Sequence, residues 1–165
     1  MNPTDLVLLI LRLWLGVVML AHGINHARSL GGTARWFASK GFKNAKLNAR
    51  LSASGELAIG IGLVTGFLTP FAIAGLVATL TVAFGSIHRF AGFFVFHRPD
   101  EGYEYVVTAS VAALAIATIG PGIASLDGVF GTIIDGWTGL VIGLAGFVVG
   151  AAQLAVFWRR PEVAS

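Results

Sequence analysis

The chain has 165 residues, of which 56% are hydrophobic and 12% are charged, whereas soluble domains average ~45–50% apolar and ~25% charged residues. Its mean hydropathy of +0.82 excludes an ordinary water-soluble protein, and its length is that of one domain. Cysteine is absent, which excludes disulfides, thiolate nucleophiles, iron–sulfur ligation and covalent haem attachment through this chain. The net charge of +3 comes mainly from short segments between apolar stretches. This pattern is typical of membrane topology signals rather than of nucleic-acid binding.

Five apolar stretches are long enough to cross a bilayer, because an α-helix rises 1.5 Å per residue through a hydrocarbon core of ~30 Å. They lie at about residues 6–24, 51–67, 71–90, 103–119 and 137–158. The first begins behind Pro3 and Thr4, which suit a helix N-terminus. Arg12 comes only after this stretch has begun, so no basic segment marks a cleavable signal. We therefore predict an all-α, polytopic membrane bundle that keeps its first helix.

Basic side chains are concentrated in the connection between the first and second stretches, which contains no acid. The C-terminal Arg159-Arg160 is also basic, whereas the connection between the fourth and fifth stretches holds the acids Asp127 and Asp135. The positive-inside rule then places the N-terminus outside and the C-terminus in the cytoplasm. The basic connection carries Arg28, Arg35, Lys40, Lys43, Lys46 and Arg50.

Turn and cap signals divide the remaining stretches. Residues 34–38 combine aromatic and cationic side chains and predict a short interfacial helix ending at Gly41. Thr69 is a candidate N-cap for the third membrane helix, followed by Pro70 in the first turn. A mixed-charge connection over residues 97–102 leads to the fourth helix, which Gly120-Pro121-Gly122 ends.

The fifth stretch carries glycines at spacings of four, three and four, which places them on one helix face. Glycine in a membrane helix permits close approach of another backbone, so this face should pack on a neighbouring helix. The neighbour is either in the same chain or, in the alternative, in a second copy across a homodimer seam. The glycines are Gly139, Gly143, Gly146 and Gly150.

Ionisable residues within apolar helices indicate function, because each costs ~2.5–3.5 kcal/mol near a helix centre. The predicted topology brings His22, Glu56 and His88, from three helices, to the cytoplasmic third of the bilayer. We expect His22 and Glu56 to line one polar cavity there. The candidate ligand or quinone pocket consists of His22, Asn25, His26, Glu56, His88, Tyr103 and Glu104.

Each candidate residue can also be interpreted as having a structural role instead of contacting a ligand. Glu56 and His22 either hold helices together by hydrogen bonds or contact a ligand. Arg12 lies toward the outer side and is assigned a structural role or a lipid-phosphate contact, reaching outward to Asp5 or Asp127. Two membrane histidines are a weak signal for haem, and no metal site is expected. No self-contained catalytic motif, such as a P-loop or a zinc-protease signature, is present.

Several short motifs follow one another in a specific order. They are Arg12-Leu13, His22-Gly23, Gly55-Glu56-Leu57, Gly102-Tyr103-Glu104-Tyr105, Gly120-Pro121-Gly122 and Ser125-Leu126-Asp127. From about residue 5 to residue 130, the chain resembles the DoxX family of small bacterial membrane proteins. A lysine often follows His-Gly in that family, whereas this chain has Ile24-Asn25-His26.

The resemblance implies a single membrane domain, with a four-helix bundle over residues 1–130 and an additional transmembrane helix and short tail over 131–165. It also implies a multi-pass protein of the bacterial inner membrane, associated with protein partners in a redox or oxidative-stress complex. Quinone is the candidate cofactor, since a quinone head group needs an apolar slot with a few polar contacts. The alternatives are a non-catalytic scaffold that anchors partners through the basic connection, and transport of protons or small solutes. Few buried charges lie in the predicted outer half, which disfavours transport.

Overall fold

The computed structural model describes residues 1–96 and 101–161. These residues form an all-α structure, which confirms the predicted fold class. The mixed-charge connection predicted over 97–102 is described only from residue 101 onward. The helices are α1 (Pro3–Arg28), α2 (Leu30–Ser39), α3 (Ala45–Thr65), α4 (Thr69–Ala83), α5 (Arg89–Ala91), α6 (Glu104–Ile119), α7 (Leu126–Phe130) and α8 (Gly136–Phe157), and a π-helical turn, Phe84–His88, joins α4 to α5.

Three helical segments among the described residues are long and apolar enough to cross a membrane: Pro3–Arg28, Thr69–Ala91 and Gly136–Phe157. The helix α6 is apolar but has only 16 residues. The helix α3 starts within the basic connection, and Lys46 and Arg50 lower the hydropathy of its first half. The five predicted apolar helices are therefore present, while the number that crosses the bilayer remains a prediction.

The contacts of glycine residues show the relative direction of α1 and α3. Gly16 of α1 lies against Gly60 of α3, while Gly23, further along α1, lies against Leu57, earlier in α3. The two helices are therefore antiparallel. Since Gly16 and Gly60 have no side chains, their backbones approach closely enough for each to be near the other's carbonyl oxygen.

The helix α8 packs on α4 and α6 of the same chain. Gly146 and Gly150 lie against Ala74 and Ala78 of α4, in the same order along both helices, and Gly139, nearer the start of α8, lies against Ala117 at the end of α6. Thus α8 is parallel to α4 and antiparallel to α6. The four glycines of the predicted stripe are the buried residues of α8.

Asp127 caps the start of α4 from a distant part of the chain. Its carboxylate accepts hydrogen bonds from the backbone nitrogens of Leu68 (2.8 Å) and Thr69 (2.9 Å). The N-cap is Leu68, in a left-handed conformation with φ 50°. The prediction of Thr69 as N-cap is wrong, because Asp127 supplies the capping oxygens and Thr69 lies one residue inside the helix.

The basic connection and the C-terminus lie at the same end of the bundle. Phe42 and Trp158 form an antiparallel bridge, in which Lys43 N donates to the Phe157 carbonyl at 2.7 Å and Arg159 N donates to the Gly41 carbonyl at 3.0 Å. The interfacial helix predicted over 34–38 is α2, which begins earlier than expected. Its buried Phe37 packs on Phe42, which anchors the basic connection to the end of α8.

Candidate functional site

A cavity of about 680 Å³ opens between α1, α3, α4 and α6, at the bundle end that holds the basic connection. Much of its wall is apolar, with Met19 of α1, Leu76 of α4 and Ala109 of α6 among the lining residues. Such an apolar slot with a few polar groups is the usual form of a small-molecule site. The lining residues whose side chains carry polar atoms are His22, His26, Trp36, Ser52, Glu56, Thr79, Ser86, His88, Glu101, Tyr105 and Gln153.

Glu56 and His26 form the most polar part of this wall. Glu56 is 4% exposed, and its Oε2 lies 3.0 Å from His26 Nδ1. Ser52, one turn earlier on α3, donates from its hydroxyl to Glu56 Oε1 at 2.5 Å, and its Oγ lies 2.9 Å from His26 Nδ1. The hydrogen-bond geometry favours Ser52 as the direct partner of His26, since Glu56 Oε2 makes a close contact without an aligned hydrogen bond.

The contacts of Ser52 and Glu56 determine which ring nitrogen of His26 is left to accept a hydrogen bond or a proton from a ligand. The Ser52 hydroxyl hydrogen points to Glu56, so Ser52 Oγ offers a lone pair to His26 Nδ1–H. Neutral His26 then keeps an unprotonated Nε2 that can accept a hydrogen bond or a proton. A carboxylate next to the other nitrogen orients the ring, as it does for histidines that transfer protons.

His22 also lines the cavity but is not the histidine at Glu56. The His22 ring lies 6.4 Å from the His26 ring, centroid to centroid, and the side chain of His22 is exposed. The two histidines are one turn apart on α1, and Ser52 with Glu56 meets the turn that carries His26. His22 and Glu56 both line the cavity, and the histidine that contacts Glu56 is His26.

His88 and Tyr105 form a second polar region of the cavity lining. His88 Nδ1 lies 2.6 Å from the Glu101 carbonyl oxygen, and because a carbonyl only accepts, Nδ1 carries the hydrogen. The rings of His88 and Tyr105 meet edge to face at 5.7 Å. His88 is the last residue of the π-helical turn, a feature that occurs often at functional sites.

Three predicted pocket residues are not among those that line the cavity. Asn25 is exposed on α1. The Tyr103 ring packs against Phe84 at 5.4 Å, and Glu104 Oε2 accepts a hydrogen bond of 3.3 Å from Val95 N. Tyr103 precedes α6, and Glu104 is the first residue of that helix. Both side chains contact the part of the chain that comes before α6. Tyr105 is the residue of this motif that lines the cavity.

Ser52 and Gln153 line the cavity but were not predicted. Gln153 Nε2 donates to Asn48 Oδ1 at 3.1 Å, joining α8 to α3. Asn48 is fully buried and also donates to the Lys43 carbonyl at 2.9 Å. The available sequence signal was the four-residue spacing of Asn48, Ser52 and Glu56, which places three polar residues on one face of α3.

Arg12 belongs to a separate buried cluster at the other end of the bundle. Its side chain is 0% exposed, and Nη2 donates to the Ala124 carbonyl at 2.5 Å. The guanidinium occupies the space beside Gly66, and Asp127 supplies a nearby negative charge. Because Arg12 is enclosed by protein and faces the charge of Asp127, this geometry favours the structural role over the lipid-phosphate contact.

No group of three or more metal-ligating side chains occurs in the parts of the chain that the structure describes. The polar groups of the cavity lining can form hydrogen bonds and exchange protons. His26 Nε2, the Tyr105 hydroxyl and Gln153 are the groups suited to such contacts.

The comparison with protein families gives one match, to the family described as DoxX, over residues 7–97. This range contains α1 to α5 and the motifs at Arg12, His22 and Glu56. It ends before α6, so the motifs at Tyr103 and Gly120 lie beyond it. No curated protein and no solved structure matches the chain.

Proposed function

The chain belongs to the DoxX family, and from this we propose that it is a membrane subunit of a quinone-linked redox or oxidative-stress complex in the bacterial inner membrane. The family is generally associated with membrane redox or stress-related roles. The Glu56–His26 contact in the wall of an otherwise apolar cavity is the observation that carries the proposal. Buried polar groups within membrane helices are costly and are retained where they act.

A quinone head group suits the cavity because it is a flat, uncharged ring with two oxygen acceptors. Its reduction consumes two electrons and two protons and gives a quinol with two hydroxyl groups. In this proposal His26 transfers the two protons in turn from Nε2 and regains each from solvent at the cavity opening, with Glu56 and Ser52 orienting the ring and stabilising its protonated form. The Tyr105 hydroxyl supplies a second hydrogen bond. In this proposal the electrons come from a protein partner, because the chain has no cysteine to provide a redox thiol or to ligate an iron–sulfur cluster.

Gentle purification of the full chain, followed by mass spectrometry and absorption spectroscopy, tests this proposal. We expect quinone to co-purify with the native chain and to be lost from Glu56→Gln, which keeps the size of the side chain and removes its charge. Glu104→Gln is the matched control, because that carboxylate is on α6 and does not line the cavity. Equal quinone in all three proteins, or none in the native chain, would contradict the proposal.

The exposed basic connection favours a second candidate, a non-catalytic scaffold. The side chains of Arg28, Arg35, Lys43, Lys46 and Arg50 are exposed, and the Phe42–Trp158 bridge fixes this segment to the end of α8. Such a surface suits an acidic soluble partner. A retained soluble protein without quinone, released when these basic residues are neutralised, would favour the scaffold.

A further inference from the structure

Two arginines converge on one exposed aromatic ring where α5 and α8 end. Arg89 Cζ and Arg160 Cζ each lie 4.6 Å from the centre of the Phe90 ring. Arg89 Cζ also lies 5.5 Å from the Trp158 ring. Phe90 and Trp158 stack with their centroids 6.3 Å apart at an interplanar angle of 27°. The chain thus holds two positive charges beside a stacked aromatic pair.

The hydrogen-bond donors of these two arginines have no partner among the residues that the structure describes. Within residues 1–96 and 101–161, neither Arg89 nor Arg160 has a side-chain hydrogen bond or an ion pair. Arg159 differs, since its Nη1 donates to the carbonyls of Ala155 (2.9 Å) and Trp158 (2.7 Å). A cation–π contact uses the face of the guanidinium and leaves its N–H edges open. Because both Cζ atoms lie 4.6 Å from the same ring centre, they are at most twice that distance, about 9 Å, apart, and two guanidinium groups with open N–H edges at such a separation can donate to one anion between them.

The position of Arg89 and Arg160 in the helical bundle indicates the source of that anion. The apolar segments Thr69–Ala91 and Gly136–Phe157 run in parallel and end beside Arg89 and Trp158. Aromatic and cationic side chains at the ends of membrane helices lie at the level of lipid head groups. Phe90 is 47% exposed, so its ring is open to the adjoining lipid.

We propose that Arg89 and Arg160 together bind the phosphate of an anionic phospholipid, with Phe90 and Trp158 against its glycerol and upper acyl region. Arginine binds phosphate through two parallel N–H donors, which a lysine cannot reproduce. A zwitterionic choline lipid carries the same phosphate, but its ammonium group is repelled by the second guanidinium. The site therefore selects lipids with net negative head groups, and it is independent of the quinone cavity.

Native mass spectrometry of the full detergent-solubilised chain, titrated with phosphatidylglycerol or phosphatidylcholine of equal acyl length, tests this site. We expect the native chain to prefer phosphatidylglycerol. Arg89→Gln and Arg160→Gln should each weaken that binding about tenfold, the effect of losing one charge-assisted contact. Arg35→Gln is the matched control, because Arg35 is an exposed arginine of α2 and the cation–π contacts among the described residues are those of Arg89 and Arg160; this variant should bind as the native chain does.

Three outcomes would overturn the proposal. One is equal binding of the two lipids by the native chain. Another is an equal loss in all three variants, which would indicate diffuse attraction to positive charge. The third is displacement of phosphatidylglycerol by millimolar inorganic phosphate, which would indicate a site for free anions. Arg89→Lys provides a check that keeps the positive charge. This variant should also lose most of the preference for phosphatidylglycerol over phosphatidylcholine, while its thermal unfolding in detergent stays unchanged.

Discussion

Gln153 of α8 donates a hydrogen bond of 3.1 Å to the fully buried Asn48 of α3. This bond joins the last helix to a helix that begins in the basic connection, beside the cavity that Gln153 lines. Replacing Gln153 with leucine leaves Asn48 Oδ1 without its partner. We expect the free energy of unfolding to fall by about 1–3 kcal/mol, the usual cost of an unsatisfied buried acceptor. Reversible unfolding in mixed detergent micelles measures it.

A double-mutant cycle separates this bond from other effects at the two positions. Asn48→Ala and Gln153→Ala should be less than additive when combined, because each single change already removes the same bond. Asn48 also donates to the Lys43 carbonyl, so Asn48→Ala alone should cost more than Gln153→Ala alone. Strict additivity would show that the contact contributes nothing measurable.

Gly146→Ala should destabilise the chain, because a β-carbon there meets the backbone carbonyl of Ala74 on α4. Since backbone cannot rotate away as a side chain can, the two helices must separate. We expect a loss of about 1–3 kcal/mol, typical of overpacking. Gly143→Leu and Gly146→Leu should cost more still. Thermal unfolding in detergent compares the variants.

Gly55→Ala is the matched control for the glycine stripe. Gly55 lies within α3, and a β-carbon at this position has nothing within 4 Å. Alanine should therefore be neutral or stabilise the helix by about 0.5–1 kcal/mol. If Gly146→Ala were as well tolerated as Gly55→Ala, close packing of α8 on α4 would not be required.

His26→Gln should weaken quinone binding far more than His22→Gln, by about tenfold or more. His26 contacts Ser52 and Glu56, whereas His22 is at the exposed side of the lining. Fluorescence quenching by a short-chain quinone, added to the purified chain, measures both affinities. Equal losses in the two variants would place the two histidines in equivalent roles.

Membrane orientation is tested by single cysteines, which are unambiguous because the chain has none of its own. With the N-terminus outside, Ser39→Cys should resist an impermeant thiol reagent in intact cells, and Thr132→Cys should react. Both positions are exposed, whereas Ser125 is only 5% exposed and would report poorly. Labelling at residue 39 but not at residue 132 would reverse the orientation.

Much of the helical layout follows from the sequence, since long apolar stretches and glycine spacing are properties of single segments. The predicted helix over 137–158 corresponds to α8 at Gly136–Phe157. The stripe of glycines is likewise a local pattern. The DoxX resemblance is confirmed by the family match over residues 7–97.

The details of the site depend on relations between helices that no single segment contains. His22 and His26 share a face of α1 one turn apart, so the axial position of α3 along α1 determines which of them meets Glu56. Ser52 and Gln153 are single polar residues whose partners lie on other helices. Asp127 caps α4 across the bundle, a contact with no local sequence signal.

The π-helical turn Phe84–His88 determines how an insertion or deletion of one residue at this point would change the structure. A helix turns by about 100° per residue, so removing one residue from the turn rotates everything after it by that angle. His88 would leave the cavity lining, and the adjacent Arg89 would leave the face of Phe90. An insertion or deletion here alters the inner and the lipid-facing surface together. We therefore expect a one-residue insertion or deletion in this turn to disturb the structure more than a single substitution does.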